Sequence, residues 1–404
     1  MQHPIHGAID YAELQQRGLA ANQIDDFSSN VNPLGTPSFV REALATIDLA
    51  HYPDRQSLAL RAALAKHHAC EIEQILIGNG SNELIHLIAR ALLQPNDAVL
   101  LIEPTFGEYA YASSLAGAQL LHYRATAETG FAIDVVACCH LINQYRPRLI
   151  WLCNPNNPTG MYLDSEAIEQ LQAACAAVEG YLVLDLAYAD LGVRGQGLGR
   201  RGQESQYIRI LTEEEQVRGQ GSEVREQGDG VKKWGADWYG HQLSDPQPPT
   251  PSPHNIIQLY SLTKSYALAG LRLGYLMAEP TIIASLQRWQ PQWSVNSLAQ
   301  AAGLAICQHP RWLNQNLAQW WAWSKQLRQS LSQLGLNVLP SCLPFFLVEV
   351  ANAQQTRSAL LDHACLVRDC SSFGLPQFVR IAPRQPAANQ RLITAWRCVC
   401  SPLF

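Results

Sequence analysis

Ser261-Leu262-Thr263-Lys264-Ser265-Tyr266 continues through Ala269-Gly270-Leu271-Arg272-Leu273-Gly274-Tyr275, directly after the apolar stretch 256–260. A lysine where a strand ends, flanked by small hydroxyl residues and with an arginine eight positions on, offers an amine that condenses with a carbonyl and donors that hold a phosphate. That combination suits a phosphate-bearing aldehyde cofactor. A lysine by itself is ordinarily a solvated surface residue, so the reading depends on companions elsewhere in the chain.

Three companions stand at the ends of other apolar stretches. Asn154-Pro155-Asn156-Asn157-Pro158-Thr159-Gly160 is a turn whose prolines and glycine fix the backbone and present Asn157 rigidly; alone it would be only a turn. Asp185 closes the run 182–185, and a carboxylate at the end of a buried strand is costly unless paired, for which a protonated pyridine nitrogen is a suitable partner. Gly78-Asn79-Gly80-Ser81-Asn82-Glu83 joins a strand to a helix, so free N–H groups at the helix start can hold a phosphate, although an ordinary N-cap has the same composition. Near the C-terminus, Arg368 and Arg380 fall in strand-like runs. An arginine there grips a carboxylate or phosphate through two parallel hydrogen bonds, or makes a structural ion pair.

The elements that must position these residues are legible from periodicity. Strands are expected at 75–78, 98–102, 149–152, 182–185, 256–260 and 273–277, alternating with helices at about 56–69, 81–93, 107–116 and 165–178. This alternation predicts an α/β unit with a mainly parallel central sheet and helices on both faces, whose functional residues gather at the carboxyl ends of the strands. From about 280 long helices follow, then four short strands near 336–339, 345–350, 365–368 and 378–382, a smaller α+β domain. The expected division is an N-terminal segment 1–50 packing with the small domain, a large domain 51–290 and a small domain 291–404. Residues 194–253 break the pattern, being rich in Gly, Gln, Arg, Glu and Pro with repeats such as Arg194-Gly195-Gln196-Gly197 and Arg218-Gly219-Gln220-Gly221. They read as a low-complexity, disordered insertion.

Bulk composition excludes other classes. The chain has 404 residues, 47% hydrophobic and 16% charged, with net charge −5, so it has no overall positive field for nucleic acid. The start lacks a signal-peptide pattern and no apolar run reaches the roughly 18 residues of a spanning helix, so no membrane association and a cytoplasmic location are expected. The eleven cysteines are scattered on apolar stretches and read as buried thiols. Cys398 and Cys400 do not have zinc spacing, so no metal is expected.

Together these motifs resemble the fold type I pyridoxal 5′-phosphate (PLP) family, the class I/II aminotransferases and their relatives, over nearly the whole chain outside 194–253. The resemblance implies that Lys264 carries the cofactor as a Schiff base and that Asp185 pairs with the pyridine nitrogen. It also implies that Asn157 and Tyr188 meet the ring oxygen, that Phe106 stacks on the ring, and that Ser81, Asn82, Ser261 and Arg272 hold the phosphate. Tyr52 matches a residue that reaches the phosphate from a second subunit, so a homodimer with its site at the interface is implied. Leu186 stands where relatives usually carry an acid. The opening, His6-Gly7 and Asp26 to Gly35, resembles a branch acting on small phosphorylated amino acids. It implies substrate contacts from His6, Asn32 and Gly35, with Arg380 on the α-carboxylate and Arg368 on the phosphate. The activity implied is decarboxylation of L-threonine O-3-phosphate to (R)-1-aminopropan-2-ol O-2-phosphate, a building block of cobalamin, with transamination of the histidinol-phosphate type as the alternative.

Overall fold

The computed structural model describes residues 7–192 and 255–400. His6 and the expected insertion at 194–253 lie outside the described residues.

The centre is a seven-stranded sheet. Its strands are β2 (Ile75–Asn79), β3 (Ala98–Glu103), β4 (Gln119–Arg124), β5 (Leu149–Cys153), β6 (Tyr181–Asp185), β7 (Ile256–Ser261) and β8 (Leu273–Met277), in the order β2-β8-β7-β6-β5-β3-β4. Only β8 among them runs against its neighbours. Successive residues face opposite sides, and both sides are buried. Val99, Leu101, Trp151, Val183 and Ile257 pack beneath α4 (Gly80–Leu92), α5 (Glu108–Leu115) and α9 (Pro280–Gln287). Leu100, Ile102, Ile150, Leu152, Leu182 and Leu184 pack against α6 (Val135–Tyr145) and α7 (Ser165–Ala177). Near-continuous apolar runs are what a sheet covered on both faces requires.

The N-terminal segment contributes α1 (Tyr11–Gln16), β1 (Asp25–Asp26) and α2 (Ser38–Ala45) before α3 (Leu58–His68). After Lys264, in the one-turn α8 (Leu262–Ser265), come α10 (Ser297–Gln308) and α11 (Trp312–Gln333). The C-terminal part holds a three-stranded antiparallel sheet of β11 (Arg368–Asp369), β12 (Phe378–Ile381) and β9 (Phe346–Glu349), covered by α12 (Ala353–Asp362) and α13 (Pro386–Cys400). β10 (Cys365–Leu366) pairs in parallel with β1, and Phe27 is wholly enclosed in the C-terminal core.

Some expectations need correction. The strand expected at 336–339 is reduced to an isolated bridge, Val338 to Val348, flanked by the Leu339 N–H to Leu347 and Glu349 N–H to Asn337 carbonyl bonds; Pro340 follows and has no N–H to extend the pairing. The run expected at 365–368 divides: its first half pairs with β1 and Arg368 joins β12. The cysteines are not uniformly buried. Ten are described as free thiols, and Cys398 is exposed on α13. Among the described residues no helix is long and apolar enough to cross a membrane.

Candidate active site

The carboxyl ends of β2, β3, β5, β6 and β7 lie on one edge of the sheet. Because β8 is reversed, Arg272, which precedes it, reaches the same edge. Lys264, Asp185, the Asn157 turn, Phe106 and the start of α4 therefore converge from positions far apart in sequence.

Asp185 is 3% exposed. Its Oδ2 accepts a hydrogen bond from Tyr109 Oη at 2.6 Å and its Oδ1 one from the Ala187 N–H at 2.8 Å. Burial raises its pKa, opposed by those two donors and by the Lys264 charge. A buried carboxylate held this way is completed by a cationic partner. Lys264 Nζ donates to Ser261 Oγ at 3.1 Å and lies 5.7 Å from the Tyr188 ring centre. Burial pulls its pKa down to about 8, with Asp185 working in the opposite direction and the Arg272 and Arg380 charges adding to the fall. At neutral pH a useful fraction of the amine is therefore unprotonated and nucleophilic. The Asn32 N–H donates to the Lys264 carbonyl at 2.9 Å, and Asn32 Nδ2 donates to the Ser265 carbonyl at 2.9 Å. Asn32 thus braces the lysine turn from behind. Gly35 has φ of +80° and bonds back to the Asn32 carbonyl, closing the turn that carries that brace.

The phosphate end is built around α4, whose first turn receives no side-chain hydrogen bond from its N-cap residue Asn79. Gly80, with φ of +75°, lies so close to Arg272 that a Cβ there would sit 2.6 Å from its guanidinium. The Ser81 N–H approaches Gly274 equally closely: a Cβ at 274 would be 2.7 Å from it. Asn82 Oδ1 is buried without a hydrogen-bond partner. Free helix N–H groups, hydroxyls of Ser81 and Ser261 and the Arg272 charge make a cradle for a dianion. With an amine at one end, a carboxylate at the other and this cradle between, the residues present fit PLP.

Tyr188 receives a hydrogen bond from Asn30 Nδ2 at 3.2 Å, and its pKa is pushed up to about 12 by burial. Arg380 donates to Asn157 Oδ1, and its Nη2 donates to the Ser28 carbonyl at 2.5 Å. Asp26 fixes that carbonyl by accepting from the Ser28 N–H and hydroxyl. Arg380 Nε is buried without a partner. Directly across the β11–β12 ladder stands Arg368, which donates to Ser372 Oγ at 2.7 Å and lies over the Phe373 ring. Burial, then the like charge of Arg380, pulls the Arg368 pKa down to about 10. Two buried guanidiniums in cross-strand register repel, and anionic ligand groups relieve that repulsion.

Phe106 packs edge-on to Tyr109 and lines a cavity of about 260 Å³ bounded on its far side by Ser372, Phe373 and Gly374. Tyr52 is not brought to Lys264 within one chain; it is 81% exposed and packs against Trp293 at 4.9 Å. Gly7, the first described residue, abuts the Ser28 carbonyl and the Arg380 guanidinium. Sequence reasoning missed Tyr109, Asn30 and Ser28. Tyr109 stands three positions from Phe106, but its partner Asp185 is 76 positions away, which no local pattern signals.

Residues 16–215 and 237–395 match the family model of aminotransferase class I and II. The chain is 32% identical over 384 residues to histidinol-phosphate aminotransferase 2 of Ralstonia nicotianae, covering 94% of this chain and 89% of that one. It is 30% identical over 395 residues to the threonine-phosphate decarboxylase of Salmonella typhimurium, covering 95% and 93%. A crystal structure of histidinol-phosphate aminotransferase from Sinorhizobium meliloti with pyridoxal-5′-phosphate superimposes with a TM-score of 0.76 at 20% identity, covering 97% and 94%.

Proposed function

The chain belongs to the aminotransferase class I and II family of PLP-dependent enzymes, and from that premise we propose that it decarboxylates L-threonine O-3-phosphate to (R)-1-aminopropan-2-ol O-2-phosphate. The observation that carries this reading is the buried pair Arg368 and Arg380, opposite each other on β11 and β12. A short substrate bearing both a carboxylate and a phosphate neutralises both guanidiniums at once. Histidinol phosphate, which has no carboxylate, neutralises one.

PLP, when bound, supplies an aldehyde that captures amines and a ring that accepts the electron pair of a bond broken at Cα. Lys264 would hold it, Asp185 would keep a proton on the pyridine nitrogen, Asn157 and Tyr188 would meet the ring oxygen, Phe106 would cover the ring, and Ser81, Asn82, Ser261 and Arg272 would hold its phosphate. Arg380, with Nε unpartnered, takes the substrate carboxylate and sets the direction of the Cα–carboxylate bond. Arg368 takes the substrate phosphate, while Asn32 and Gly35 form the turn that lies against Lys264; the substrate contact expected of His6 falls outside the described residues. The Lys264 amine, with its pKa pulled down to about 8 by burial, can both hold and return a proton near neutrality, and would deliver it to Cα after CO₂ leaves. Tyr52, exposed beside Trp293, serves the site of a second copy in a homodimer.

A second reading is transamination, favoured by the 32% identity to a histidinol-phosphate aminotransferase. Holoenzyme incubated with L-threonine O-3-phosphate is expected to form aminopropanol phosphate and CO₂. In parallel, histidinol phosphate with 2-oxoglutarate is expected to give no glutamate. Glutamate from the second mixture with no CO₂ from the first would establish the aminotransferase instead.

A further inference from the structure

One face of α11 presents a stripe of donors to backbone carbonyls around the site. Trp321 Nε1 donates to the Leu191 carbonyl at 3.1 Å, and Ser324 Oγ donates to the Pro344 carbonyl at 2.6 Å. Arg328 donates Nη1 to the Ser341 carbonyl at 3.3 Å, and Nη2 to those of Leu343 at 2.5 Å and Phe345 at 3.5 Å. Spacings of three and four put these residues on one helix face. The Arg328 guanidinium also lies 4.8 Å from the Phe346 ring centre, and burial pulls its pKa down to about 10. Burying a charge against neutral carbonyls is costly, and what it secures is the path of the backbone at 341–345.

That loop touches both halves of the site. At one end Cys342 donates its N–H at 3.0 Å and its thiol at 2.9 Å to the Gly160 carbonyl, which closes the Asn157 turn. Gly160 has φ of +69°, and a Cβ there would collide with Ser341 Oγ, so turn and loop are in direct register. At the other end the Phe345 ring meets Tyr188 edge-on at 5.1 Å and lies 5.3 Å from the Arg380 guanidinium. Arg380 bonds Asn157, which closes the circuit.

We infer that Arg328 is a positioning residue of this site: by fixing the loop 341–345 it sets the relative placement of Asn157, Tyr188 and Arg380. The inference rests on the roles given to those three residues above, and acts through them. No substrate or cofactor contact is required of Arg328 itself.

The test compares wild-type, Arg328→Lys and Arg328→Met holoenzymes without substrate. Three quantities are read: the pH midpoint of the cofactor absorption band, the rate at which Cys342 is alkylated by N-ethylmaleimide as followed by peptide mapping, and Tm. Release of the loop is expected to speed Cys342 alkylation by about tenfold or more in Arg328→Met, the equivalent of roughly one lost hydrogen bond. It is also expected to move the absorption midpoint, because Asn157 and Tyr188 no longer face the ring in fixed positions. Arg328→Lys keeps the charge but not the fork, so it falls between the two; if Arg328→Met fails to fold, this variant decides. Lower Tm with unchanged midpoint and unchanged alkylation would overturn the inference and leave Arg328 a packing residue. These readings need no turnover, so they stand whether or not L-threonine O-3-phosphate proves to be the substrate. On whichever substrate the wild type accepts, kcat/KM is expected to drop about 10- to 100-fold, the scale of a misplaced binding group.

Discussion

Replacing Lys264 by methionine is expected to make the apoenzyme more stable at neutral pH while abolishing activity. The lysine goes from its ordinary 10.5 to about 8 on folding, mainly through burial. While it is charged in both folded and unfolded chains, that difference costs roughly 3 kcal/mol at 1.36 kcal/mol per pH unit. Methionine has similar length and no charge, and forfeits the Ser261 contact, worth about 1 kcal/mol, so the net gain at pH 7 is about 2 kcal/mol. The sign of the pH dependence follows from proton counts. Below about pH 8 both states bind the proton and the penalty is complete; between about 8 and 10.5 the folded amine has lost its proton and the unfolded one has not. Wild-type stability therefore rises through that window by up to about 1.4 kcal/mol per pH unit relative to Lys264→Met. Urea denaturation of both apoproteins at pH 7, 8, 9 and 10, at one protein concentration, measures the gap. A gap that stays constant from pH 8 to 10, or a variant less stable than wild type at pH 7, would refute the reasoning.

Three further substitutions probe other parts of the site. Arg368→Met is expected to raise KM for L-threonine O-3-phosphate about 100-fold by removing a charge-assisted contact, and to raise the apoenzyme Tm by ending the repulsion with Arg380; steady-state kinetics and calorimetry check both. Tyr109→Phe takes a donor from Asp185, whose pKa then climbs further above its ordinary value, so on acidification PLP is expected to dissociate at a higher pH than from wild type, measured by cofactor fluorescence in the filtrate. Gly80→Ala forces a side chain into a left-handed φ of +75° and against Arg272. It is expected to weaken PLP binding by about 1–3 kcal/mol, roughly 5- to 150-fold in Kd by equilibrium titration.

Much of the sheet was legible because six of its strands, the five inner ones and β2 at one edge, are short aliphatic runs, and a strand buried on both faces needs no alternation. β4 was missed for the opposite reason: Gln119, His122 and Arg124 belong to an edge strand, partly exposed, and give no apolar run. β1 could not be read at all, since Asp25–Asp26 becomes a strand only by pairing with Cys365–Leu366, 340 positions away in register. α6 begins Val135-Val136, residues that favour strands, and is a helix because Cys138 and Ile142 pack under the sheet. The candidate site was legible where a residue type stands in a fixed local frame at a strand end, as with Lys264, Asp185 and Asn157. It was not legible where one site residue acts on another across the fold, as with Tyr109 on Asp185, Asn30 on Tyr188 and Arg328 on the loop before β9.

On the proposed function, the paired arginines 368 and 380 present a doubly anionic amino acid to Lys264 for loss of its carboxylate. The most direct measurement is a single turnover of holoenzyme in excess over L-threonine O-3-phosphate labelled with ¹³C in the carboxyl group, with no 2-oxo acid present. One equivalent of ¹³CO₂ per substrate is expected, with aminopropanol phosphate that retains its nitrogen. Label remaining in a carboxylate, with the amino group transferred to the cofactor, would contradict it.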